Sequence, residues 1–99
     1  MSVLSGSSQT NRAPDNVSSG DFTVTVTGTY ACGSAVQPFD LSSATMSAGR
    51  YVLVRAGSIT DYVGATITPP SGRTVYSISQ EPVNFPAGGT SPCIVVTLV

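Results

Sequence analysis

The side chains able to do chemistry in this chain of 99 residues are few. Carboxylates stand at Asp15, Asp21, Asp40, Asp61 and Glu81, guanidinium groups at Arg12, Arg50, Arg55 and Arg73, and thiols at Cys32 and Cys93. His and Lys are absent, which removes the commonest general base near neutral pH together with Ser-His-Asp triads, Cys-His pairs, Ser-Lys dyads and Schiff bases. The carboxylates fall at element edges and in turns, where capping and solubility are their ordinary roles. A two-carboxylate glycosidase site would need a substrate cleft, for which a domain this small has little room. With no CxxC, no His ligand and no D-x-[DN]-x-[DN]-G loop, the metal signals are equally thin. P-loop and GxGxxG sequences are missing too. The expectation is a protein without catalytic residues, metal or cofactor, and so not an enzyme.

Cys32 and Cys93 have sixty residues between them. A bridge closing such a loop would add roughly 4 kcal/mol in the chain-entropy account. Two buried thiols acting as small hydrophobes is the other reading, favoured because nothing indicates an oxidising compartment. Thr23, Thr25, Thr27 and Thr29 form an evenly spaced row. An ice-binding face uses such rows but needs several stacked strands carrying them, and only Thr66 and Thr68 hint at a second; an exposed or interface-facing side of one strand accounts for the row. Tyr30, Tyr51, Tyr62 and Tyr76 are better read as core or rim packing than as a sugar platform, since Trp is absent. Asn16-Val17-Ser18 is formally a glycosylation sequon without a secretory route.

The elements that must position these residues are strands. Charged residues make up 9% of the chain, against roughly 25% in an average soluble domain. The net charge of -1 gives no basic field for phosphates, so neither nucleic acid nor a membrane surface is an expected partner. The start, MSVLSGSSQTNRAPDN, has neither a basic n-region nor an apolar h-region, and synthesis in a cytoplasm is expected. Residues 1–20 contain six Ser and two Gly but only Val3, Leu4 and Val17 as sizeable aliphatics. Such a segment cannot offset its own ordering entropy, which predicts an extended N-terminal arm at 1–20 and a β domain at 21–99.

From Asp21 the period is two: Phe22, Val24, Val26, Tyr30 and Cys32 share one face and the Thr row the other. Residues 33–49 read as a long connection with a short strand around Ala44 to Ser47. Strands are then expected at Arg50 to Ala56, Asp61 to Thr68, Arg73 to Ser79, Val83 to Phe85 and Cys93 to Val99, with AGSIT, PPSG, QEP and PAGGTSP as boundaries. Their spacing predicts an all-β fold, a single antiparallel sandwich or small barrel with a Greek-key or Ig-like arrangement. The last strand is apolar on both faces and should be central or covered on both sides.

A surface so poor in charge is weakly protected against association. The Ser/Gly/Pro arm from Ser2 to Gly20 and a β domain ending flush in Cys93 to Val99 resemble the small decoration, or cement, proteins of tailed-bacteriophage capsids. The resemblance implies a β domain on the outside of the virion shell, with the major capsid protein and copies of itself as partners and no small-molecule substrate. It also implies an arm that orders on assembly, with Val3, Leu4 and Arg12 as contacts to a neighbour. The competing reading is a fibre, tail or adhesin-type module whose loops Gly57 to Thr60, Pro69 to Gly72 and Pro86 to Pro92 meet a receptor or glycan.

Overall fold

Alternation does its work in the first described strand, β1 (Val24–Ala31): Val24, Val26 and Tyr30 are half-buried while Thr25, Thr27 and Thr29 are exposed. The computed structural model describes residue 16, residues 24–85 and residues 89–99. Five further strands follow: β2 (Gln37–Asp40), β3 (Gly49–Thr60), β4 (Ala65–Thr68), β5 (Val75–Phe85) and β6 (Gly89–Leu98). The chain is all-β, with no helix among the described residues. A mixed sheet takes the order β1-β3-β6-β5, and β2 and β4 form a small second sheet.

Pairing is not uniformly antiparallel, and that expectation is corrected. β6 runs antiparallel to β3 and β5, but β1 lies parallel to β3 and β2 parallel to β4. A parallel pair needs a crossover of a dozen or more residues. Here each crossover contains a strand of the other sheet: β2 lies between β1 and β3 in the chain, and β3 between β2 and β4. Backbone hydrogen bonds continue the stacking through the corners, from Cys32 N–H to the Thr60 carbonyl (3.0 Å), from Gln37 N–H to the Gly64 carbonyl (3.0 Å) and from Leu41 N–H to the Thr68 carbonyl (2.9 Å). Two arches, 24–41 and 54–68, are therefore stacked rung on rung. Each arch corner turns through a left-handed residue that is not glycine, Ser34 (φ 59°) in one and Asp61 (φ 58°) in the other.

β6 is the central strand its composition demands. Cys93 and Val95 join Val52, Val83 and Phe85 in one buried cluster, while Ile94, Val96 and Leu98 join Leu41, Leu53 and Val54 in another, against which Phe39 of β2 and Ile67 of β4 pack. A bulge in β3 makes this two-sided burial possible. Val52 pairs with Val95 and Val54 with Ile94, leaving Leu53 as the extra residue. Val52 thus serves one cluster, and Leu53 and Val54 serve the other.

Other boundaries shift for identifiable reasons. The short strand is Gln37–Asp40, and 44–47 carries none. AGSIT lies within β3, QEP within β5, and Gly89 to Pro92 within β6. Proline is tolerated in β5 because it is an edge strand, and Pro82 faces Pro92 beyond the last β3–β6 pair, Arg55 with Cys93.

The β1–β3 ladder slips between Val26 and Thr29, and Gly57 sits at the slip. A Cβ there would lie 3.0 Å from the carbonyl oxygens of both Thr27 and Gly28. Gly57→Ala is expected to lower stability by about 1–3 kcal/mol, the usual cost of overpacking. Urea unfolding of the variant reads this directly, and a wild-type midpoint would contradict the close approach.

Candidate functional site

The described charges are mostly engaged within the fold. Arg50 and Glu81 form an ion pair, with side chains 14% and 21% exposed. The Arg55 guanidinium lies 3.8 Å above the Phe85 ring and its Nε donates to Ser91 Oγ at 3.4 Å. Asp40 accepts from the Ser42 N–H (2.9 Å) and hydroxyl (2.6 Å), which lowers its pKa. Asp61 and Arg73 make no ion pair among the described residues. No group of three metal-ligating side chains occurs among the described residues, and no helix there is long and apolar enough to cross a membrane.

Cys32 and Cys93 are both buried and free, so the two thiols stand as small hydrophobes and not as the alternative bridge. Cys93 of β6 pairs with Arg55 of β3, whereas Cys32 follows β1 and its N–H donates to the Thr60 carbonyl. That is about five to six residues further along β3, or roughly 16–20 Å, well beyond the ~7 Å Cα separation a bridge tolerates. Burial pushes both thiols up, Cys93 to about 12, so neither is poised as a nucleophile.

The Thr row stands on one strand only. Thr25, Thr27 and Thr29 are exposed, and Thr29 Oγ1 is hydrogen-bonded to Ser58 Oγ at 2.8 Å; Thr23 lies outside the described residues. Thr66 and Thr68 belong to β4, in the other sheet, so no stacked row forms. Tyr30, Tyr51 and Tyr62 pack against the inter-sheet cluster, the Tyr30 hydroxyl donating to Gln37 Oε1 at 2.9 Å. Gly57 to Thr60 is strand rather than loop. Val3, Leu4 and Arg12 lie outside the described residues, as does the rest of the expected arm apart from Asn16.

Asn16 makes a structural contact that the sequence did not reveal. Its Nδ2 donates to the Val52 carbonyl and its Oδ1 accepts from the Val52 N–H, both at 2.9 Å. Among the described residues the β1–β3 pairing starts with Val24 opposite Val54, and the Asn16 carboxamide supplies both backbone partners of Val52 that are described there. The sequon amide is therefore committed to the backbone. Val52 is fully buried. Asn16→Ala would leave its polar groups without these partners, at an expected cost of about 1–3 kcal/mol. Faster hydrogen exchange at the Val52 amide would report the loss; unchanged exchange would contradict it.

Two ends of the domain expose apolar side chains. Beyond the Thr60 end of β3, Val36 and Val63 are 54% and 58% exposed, on successive arch corners joined by the Gln37–Gly64 hydrogen bond. Near the Gly49 end, Tyr76 and Val99 are 75% and 56% exposed. Tyr76 is the extra residue of a bulge between Val75 and Ser77, and Val99 exchanges two backbone hydrogen bonds with Thr74. Comparison with protein-family models, curated proteins and solved structures finds no match.

Proposed function

We propose that this chain is a non-enzymatic structural protein of a virion, binding the outside of a capsid shell and reinforcing it, with the major capsid protein and copies of itself as partners. The observation that supports this reading most is the exposure of apolar side chains at both ends, Val36 with Val63 and Tyr76 with Val99, on a chain where Arg50, Glu81 and Arg55 are engaged within the fold. In this reading each end is a protein contact centred on its two exposed apolar side chains, and a domain with one at each end can bridge two neighbours. The N-terminal arm, ordering on assembly, belongs to the same proposal. So does the finer architecture, a sandwich in which the small sheet is one layer and the four-stranded sheet the other. Gradient sedimentation of purified particles tests the reading. The chain should travel with intact shells at a fixed ratio to the major shell subunit. A chain that stays at the top of the gradient and instead binds host cells or a glycan array would support the receptor-binding alternative.

A further inference from the structure

We draw no further inference here: the strongest candidate, the exposed apolar pair Val36 and Val63 on the arch corners beyond the Thr60 end of β3, already supports the proposed function, and nothing in the structure shows what covers it.

Discussion

Ile94→Ala is expected to lower stability by about 3–5 kcal/mol, the upper range for truncating a buried β-branched side chain. Ile94 is fully buried, on the central strand, opposite Val54 on one side and Gln80 on the other. Its cluster draws side chains from both sheets, so the vacated volume is lined by strands fixed in register that can collapse only partly. For a domain whose whole stability is about 5–15 kcal/mol, the melting temperature should fall by about 12 °C or more, at about 4 °C or more per kcal/mol. Tyr76→Ala, at an exposed bulge residue, should stay within about 0.5 kcal/mol of wild type. Equal losses in the two variants, read by thermal unfolding, would contradict the placement of the core.

Stability should also fall on the alkaline side. Burial raises the pKa of Cys93, with Glu81 adding to the rise and Arg55 opposing it; burial likewise raises Cys32, with Asp61 adding. Tyr30 and Tyr62 are raised by burial and by the neighbouring Cys32. Each group holds its proton more tightly in the folded chain than in the unfolded one. Its contribution is therefore whole below the unfolded value, near 8.5 for a thiol and near 10 for a phenol, and is lost as pH rises through the folded value, about 12 for Cys93. Urea midpoints should be level from about pH 7 to 8.5 and then decline, the slope approaching about 1.4 kcal/mol per pH unit for each group titrating in the unfolded chain. Cys93→Ala should flatten part of that decline. A midpoint level through pH 11 would contradict the burial of these groups.

The parts of the fold legible in the sequence were those governed by local period. The Thr/Val alternation of β1 and the two-sided apolar run of β6 each have a single structural solution, an amphipathic strand and a central one. Parallel stacking was not legible, because β1 and β3 share little beyond chemical likeness at paired positions such as Thr29 with Ser58 and Tyr30 with Ile59. Turn chemistry misled where tertiary context overrode it: QEP reads as a break, yet Pro82 fits an edge strand without losing a ladder hydrogen bond. Asn16 carried only its sequon as a signal, and nothing local says that its amide will grip Val52. Val36 fell in an aperiodic stretch and Val63 inside the expected strand Asp61 to Thr68, which in the structure begins only at Ala65; at both, exposure depends on which way an arch corner turns.

The central claim is that this chain reinforces a shell, and adding it back to shells stripped of it tests that claim most directly. The temperature at which packaged nucleic acid becomes accessible to a dye should rise on addition of the purified chain and saturate at a fixed number of copies per shell. An unchanged release temperature at saturating protein would contradict the account.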